Sequence, residues 1–360
     1  MSDSDDVDAR PAAAPPVLHP WLESTARDLL ARRARWPHAL LITGPEGVGK
    51  RDLARFFAQA LLCENPTPHP SSRERGEGGE GPLFPCGACP SCRYVAANQH
   101  PDLRAVEPIE IDDDGNITPV EWIVIDRIRA LNTWVQLTSH RRVAKVGIIA
   151  PAERLFPNAA DALLKTLEEP PSGTYLMLVS HQPGRLPPTI ASRCVRLAVA
   201  APPAGIAGPW LAAQGVRDAE GLLAQAHGAP LRALALTDPT YQAERTAWLT
   251  ALAAPRALSP LMLSARIDAA PRDERKLRLA AAIDWLLAWS ADLASVAAGG
   301  QPVYNVDFAD RIGKLARSVA RIPLFRYHRA LLEQRTLVSH PLQPRLVAEA
   351  LLIDYRALFT

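Results

Sequence analysis

Lysine is scarce in this 360-residue sequence: the basic side chains are nearly all arginine, and lysine occurs only at Lys50, Lys145, Lys165, Lys276 and Lys314. An excess of charge of one sign is missing too. The formal net charge of +2 argues against a strongly basic nucleic-acid binder standing alone. No long apolar run goes uninterrupted. Leu277 to Val296 comes nearest, but Asp284 and Asp292 break it, which predicts a bundle helix and not a membrane span. The opening stretch, MSDSDDVDARPAAAPP, is acidic and lacks the basic and apolar regions of a signal peptide. Residues 1–17 are therefore expected to be a disordered tail, and the protein to be cytoplasmic. Hydrophobic residues at 48% and a mean hydropathy of −0.04 describe an ordinary soluble chain, long enough for two or three domains.

Cysteine is also rare, and unevenly spread. Three of the five cysteines fall in PCGACPSC, as Cys86, Cys89 and Cys92. In a reducing compartment such clustering points to metal and away from disulfides. Pro and Gly between the thiols permit the tight turns that let them converge on one tetrahedral zinc ion. A closed structural site needs a fourth ligand, for which Cys63 is the choice; Cys194, His69 and His100 are its rivals. The intervening ENPTPHPSSRERGEGGEGPLFP is rich in Pro, Gly, Ser and charge and is expected to be a flexible insertion. A redox cluster and a metal-free one are the competing readings. No H-E-x-x-H set accompanies the thiols, so catalytic zinc is not expected.

What is present is a phosphate-binding loop with one residue out of place. Ala39 to Ile42 is a short apolar run that predicts a buried strand, and Leu53, Phe56, Phe57, Ala60 and Leu61 recur at helical spacing. Between them Gly44, Gly49 and Lys50 keep the G-x-x-x-x-G-K register, but the Ser or Thr that should follow is Arg51. The glycines let backbone amides crowd an anion at a helix N-terminus, and Lys50 can reach a phosphate. The missing hydroxyl would have held Mg²⁺, and a guanidinium repels that ion. Binding of ATP or ADP stays open on this loop; hydrolysis is compromised. A chance glycine-rich turn is the bland alternative.

Further on, Val146 to Ala150 and Tyr175 to Val179 predict buried strands. Ala159 to Glu169 predicts a helix with Leu163, Leu164 and Leu167 on one face, ended by Pro170-Pro171. Strand and helix alternation predicts a parallel α/β sheet with helices on both faces. ALLKTLEEPP, GRLPPTIASRC and the loop at this separation resemble the bacterial clamp-loader branch of the AAA+ family, from about Leu18 to Leu236. PLQPRLVAEALLIDY resembles, more weakly, the last helix of the same proteins.

The resemblance implies three parts after the tail. A nucleotide-binding-like domain spans 18–200 and contains the zinc module, 63–92. A small three-helix lid spans 201–238, with Trp210, Leu211, Leu222, Leu223 and Leu234 as core. A helical collar spans 239–360, packed by Trp285, Leu286, Trp289, Leu315, Val319, Leu331, Leu332 and Leu346 to Leu352. It also implies partners: the delta and tau/gamma subunits in a hetero-pentameric ring, with the sliding clamp and primed DNA reached through the assembly.

The branch contains ATP-hydrolysing motor subunits and non-hydrolysing ones, and the differences favour the second kind. The acidic pair that ends the motor's Walker-B strand falls here on Ala150 and Pro151, which can neither hold a metal nor accept a proton. Glu153 lies three residues past the Asp position and is expected not to substitute without rebuilding the turn. The motor's nucleotide-sensing arginine falls on Leu231, with Arg232 displaced by one residue and about 100° around the helix. Arg193 of Ser192-Arg193-Cys194 survives. In this branch that arginine enters a neighbour's ATP site and stabilises charge on the γ-phosphoryl oxygens. The plain alternative is a surface arginine paired with a local acid. An active ATPase of the same family and a P-loop kinase with a zinc-bearing lid are the other readings of the chain. Arg32, Arg33, Arg35, Arg141, Arg142 and Lys145 read as solvated charges, and none is assigned to DNA. Catalysis is expected of the DNA polymerase III holoenzyme that the branch serves and not of the isolated chain.

Overall fold

In a computed structural model of the chain, the residues described are 16–68, 82–111, 116–141, 144–272, 274–338 and 342–359. The expected tail, apart from its last two residues, and residues 69–81 of the expected flexible insertion, with His69, lie outside them, as does Arg142. The chain divides into two compact units, Met1–Pro202 and Pro203–Thr360.

The first unit is built on strands β1 (Ala39–Thr43), β2 (Thr67–Pro68), β3 (Leu83–Phe84), β4 (Leu103–Val106), β5 (Ile109–Ile111), β6 (Ile117–Pro119), β7 (Lys145–Ile149), β8 (Thr174–Ser180) and β9 (Val195–Ala198). Five of them form one sheet in the order β4-β7-β8-β1-β9, and every pairing in it is parallel. β2 pairs with β3, and β5 with β6, as short antiparallel ribbons.

β1 and β7 are buried at all five positions, as expected of strands covered on both faces. Alternation along the strands sorts these residues. Leu41, Ile149, Leu176 and Leu178 join one core with Ile128 and Leu131 of the helix Ile125–Gln136 and Leu163 and Leu167 of the helix Pro157–Glu168. The helix Lys50–Leu62 packs against β1, β7 and β8 and contributes the buried Leu53, Phe57 and Leu61. Because β1 lies between β8 and β9, the turn that follows it opens at the carboxyl edge of the sheet, where α/β folds hold their ligands.

The second unit is helical. Three short helices, Ala204–Ala213, Ala219–Gln225 and Pro230–Ala235, share a small core of Ala207, Leu211, Val216, Leu222, Leu223, Ala226, Ala233 and Leu236, with Trp210 and Leu234 partly buried on it. A larger core gathers Trp248, Ile283, Leu286, Trp289, Leu324, Leu331, Leu352 and Tyr355. Two residues expected inside it point outward: Leu332 is 51% exposed and Leu346 63%.

The apolar stretch around Leu277 lies in the helix Arg275–Ala297, which is long and apolar enough to cross a membrane by length and composition. Here it is the central helix of the bundle, and its acids are committed inside the protein. Asp292 is fully buried and accepts from the backbone N–H groups of Val303 (2.6 Å), Tyr304 (3.1 Å) and Asn305 (2.8 Å), and from Asn305 Nδ2 (2.9 Å). Arg245, also buried, places Nη1 at 2.7 Å from Asp307 and Nη2 at 2.8 Å from Asn305 Oδ1. This loop is held by a carboxylate because its amides have no ladder to join. Replacing Asp292 with Ala orphans four donors, two of them the buried N–H and side-chain amide of Asn305. The change should destabilise the helical unit by about 3 kcal/mol, with Asp292→Asn milder, as read by urea unfolding followed through tryptophan fluorescence.

Candidate functional site

The turn after β1 adopts the conformations its glycines permit: Gly44, Gly47 and Gly49 have φ of 149°, 81° and 84°. At Gly44 a Cβ would come within 1.9 Å of the Val199 carbonyl oxygen, so the loop lies directly against the strand edge beside it. Lys50 opens the helix, yet its ammonium turns back: Nζ donates to the Gly44 carbonyl at 2.8 Å and to the Pro45 carbonyl. Burial pushes the Lys50 pKa down to about 8, against the attraction of Glu153 and Glu46.

Arg51, at the position of the missing hydroxyl, forms an ion pair with Glu107, which lies just past β4. Asp52 receives His19 Nε2 at 2.8 Å. His19 stacks on Trp21 with ring centroids 4.8 Å apart, and Trp21 Nε1 donates to the Val48 carbonyl at 3.0 Å. His19 also lies over Gly49, where a Cβ would meet its ring at 2.6 Å. The segment before the first helix thus covers the loop.

The strand β7 runs directly into Ala150 and Pro151, neither of which carries an acid. Glu153 follows shortly after them. Ala152–Arg154 forms a 3₁₀ turn that folds the chain back, and Glu153 Oε1 accepts from the His181 backbone N–H at 3.0 Å, at the end of β8. Its carboxylate attracts the Lys50 charge more strongly than Glu46 does. Burial, then Lys50, holds the His181 imidazole below its ordinary pKa. Glu153 Oε2, Ser180 Oγ and His181 Nδ1 are buried without a hydrogen-bond partner among the described residues. The turn places Glu153 in the loop's electrostatic neighbourhood.

The four thiols meet. Ligand atoms of Cys63, Cys86, Cys89 and Cys92 all lie within 4.8 Å of one another, with Cys63 Sγ 3.6 Å from Cys86 Sγ and 3.9 Å from Cys89 Sγ. A tetrahedral ion with bonds of about 2.3 Å sets its sulfurs at about this separation. Backbone N–H groups of Cys86, Cys89 and Cys92 donate to the preceding thiols at 3.3–3.4 Å, which orients the sulfurs inward. The set can hold a metal ion, and Cys63 is its fourth member. Cys194 is elsewhere, its thiol raised to about 11 by burial.

His100 serves the layer outside the thiols: its Nε2 is 3.2 Å from Ser91 Oγ, which donates to Glu64 Oε1 at 2.7 Å. Arg141 completes this layer, donating to Glu64 at 2.6 Å and lying over the Tyr94 ring. Lys145, read as a solvated charge, is buried, with Nζ donating to the Trp134 carbonyl at 2.6 Å.

Arg193 follows the short helix Pro188–Ala191 and pairs with a local acid: Nε donates to Glu168 Oε1 at 2.6 Å and Nη1 to the Thr189 carbonyl at 2.9 Å. The displaced Arg232 has Nη2 3.8 Å from Asp284 in the central helix of its own unit.

Against this geometry, a family model described as DNA polymerase III, delta subunit, matches residues 28–203. The chain is 34% identical over 279 residues to the DNA polymerase III subunit delta' of Pseudomonas aeruginosa, covering 76% of each chain. The chain belongs to the DNA polymerase III delta-prime family. To the delta' subunit of Haemophilus influenzae it is 31% identical, with 77% of each chain covered. A tau subunit, from Bacillus subtilis, is 34% identical over only 162 residues, 45% of this chain and 24% of its own.

Three features are not among the sequence expectations: the His19–Trp21 cover, the Glu107 partner of Arg51, and the bond from His181 to Glu153. The HPW tripeptide ahead of an amphipathic helix is a usable signal for the first; the others depend on tertiary contacts. The loop's glycines are required by the fold itself. Gly44→Ala, facing a backbone oxygen, should cost upward of roughly 3 kcal/mol, whereas Gly184→Ala, with open space around it, should be near neutral in the same denaturation experiment.

Proposed function

We propose that the chain is the non-hydrolysing subunit of a bacterial DNA polymerase III clamp loader. It helps place the sliding clamp on primed DNA and lends Arg193 to the ATP site of a neighbouring motor subunit. One observation carries the reading: where the loop's hydroxyl would hold Mg²⁺, Arg51 presents a guanidinium already neutralised by Glu107. A guanidinium has no lone pair with which to hold a metal, and Ala150 and Pro151 offer no ligand in its place. Lys50, turned onto the loop's own carbonyls, has to give up those bonds before it can meet a phosphate.

The partners follow from the same reading: delta and tau/gamma subunits in a hetero-pentameric ring, in the cytoplasm. The helices from residue 239 onward act as the collar that joins them, 201–238 as the lid and 18–200 as the nucleotide-binding-like domain. The four-thiol set suits structural zinc, since tetrahedral thiolate sites of this spacing favour that ion and leave no open position for catalysis. Cys63, Cys86, Cys89 and Cys92 would hold it. Their contribution is to tie the end of the helix Lys50–Leu62 to the segment Pro90–Ala96.

A second reading, an active motor-like ATPase, has one observation in its favour: Glu153, with a buried and unpartnered Oε2, supplies an acid close to the loop. A hydrolysis assay separates the two. The purified chain should show no ATP turnover above background. Turnover at motor-subunit rates that Glu153→Gln removes would establish the second reading instead. In a loader reconstituted with delta and tau/gamma, Arg193→Ala should lower clamp-dependent ATP turnover and loading, and a variant equal to wild type would remove the finger role.

Metal analysis should return one zinc per chain. Cys63→Ser should lose most of it and melt several degrees lower, because the fourth thiol closes the site. An unchanged zinc content would exclude Cys63 as a ligand.

A further inference from the structure

Arg193 does not hang free. Its guanidinium is gripped from two directions: Glu168 Oε1 accepts from Nε at 2.6 Å and also pairs with Nη2, while the Thr189 carbonyl accepts from Nη1 at 2.9 Å and Ser192 Oγ lies 3.5 Å from the same nitrogen. Both supports are rigid. Glu168 is the last residue of the helix Pro157–Glu168, whose Leu163 and Leu167 are buried in the sheet core, and Pro170 and Pro171 end the helix at once. Thr189 belongs to the helix Pro188–Ala191, pinned by the fully buried Ile190 and packed against the first helix.

Stability does not account for Glu168. The pair is open to solvent, Arg193 at 34% and Glu168 at 48% of the side chain, and exposed pairs of this kind add little to folding. A carboxylate in the last turn of a helix also opposes the helix dipole, where a basic side chain would suit better. A local choice made against the helix points to another use for the residue. The grip fixes the long arginine side chain in one direction at a solvent-open site.

We infer that Glu168 is a positioning residue for Arg193: it pre-orders the guanidinium so that it can enter an adjoining subunit's phosphoryl-transfer site without first losing rotamer freedom. The inference rests on the proposed finger role and assigns Glu168 the task of aiming it. An arginine left to rotate would have to be immobilised at each insertion, a cost worth about two- to tenfold in rate.

The test uses the reconstituted loader with wild-type chain, Glu168→Ala, Glu168→Gln, Arg193→Ala and the double variant, read as clamp-dependent kcat and KM for ATP. Glu168→Ala should lower kcat about two- to tenfold with KM for ATP little changed, and Glu168→Gln, which keeps one acceptor oxygen, should recover part of the loss. The isolated Glu168→Ala chain should melt at the wild-type temperature or slightly above. Once Arg193 is Ala, removing Glu168 should change nothing further. A Glu168→Ala loader that equals wild type while Arg193→Ala is impaired overturns the inference and leaves the finger intact. A faster Glu168→Ala loader, or losses that add in the double variant, also overturns it. An Arg193→Ala loader that equals wild type removes the finger reading itself, and the positioning role with it.

Discussion

The first turn of the helix Lys50–Leu62 is the joint on which the N-terminal unit depends. Three successive charged residues leave it in three directions. Lys50 closes the preceding loop through the Gly44 and Pro45 carbonyls, Arg51 reaches Glu107 beyond β4, and Asp52 holds His19 of the covering segment. At its other end the helix hands the chain to Cys63 and the thiol cluster. A helix N-terminus carries unsatisfied N–H groups and a positive dipole end, so it attracts whatever negative groups are near. In a nucleotide-dependent loop those groups arrive with the ligand. Here the Glu107 and Asp52 carboxylates and the loop carbonyls are part of the chain.

That difference has a thermodynamic consequence. Order supplied by a bound ligand scales with its concentration, because only the bound form is stabilised. Order supplied by intramolecular pairs does not. A loop closed on its own carbonyls and covered by His19 and Trp21 keeps its shape whatever the nucleotide supply. This suits a subunit proposed to act as a fixed support beside motors that cycle. It also explains how the glycines can be indispensable without a phosphate to cradle: Gly44 has a backbone oxygen and Gly49 an imidazole where a side chain would stand.

What could be read in advance followed from short-range pattern. β1 and β7 were visible as four- or five-residue apolar runs bounded by turn residues, and the helix Pro157–Glu168 by leucine spacing and its terminal prolines. Cys63 was reachable because it ends a helix whose position the loop had already fixed. The failures share a cause. The nearness of Glu153 to the loop is not legible in the sequence, because a 3₁₀ turn does not continue the strand's direction. Lys145 was grouped with solvated charges because a sequence does not reveal the Trp134 ring and carbonyl that receive it. Leu332 and Leu346 were placed in the bundle core because helical periodicity identifies an apolar face without saying what covers it.

The helical unit repeats the logic of the first. Moving an arginine by one helical position turns it by about 100°, enough to exchange one set of neighbours for another. Arg232, so displaced, approaches Asp284, which also accepts from Arg335 Nε at 2.6 Å. Close by, Trp285 Nε1 donates to the Tyr241 hydroxyl at 2.8 Å, and Tyr241 borders both the small core and the large one. An arginine in that setting is a strut between the short helices and the bundle, because its charge is shared within the unit. Under the proposed reading, the sensing position itself is Leu231, and the arginine beside it braces the lid against the collar. Arg193 differs in that its ion pair with Glu168 stays open to solvent.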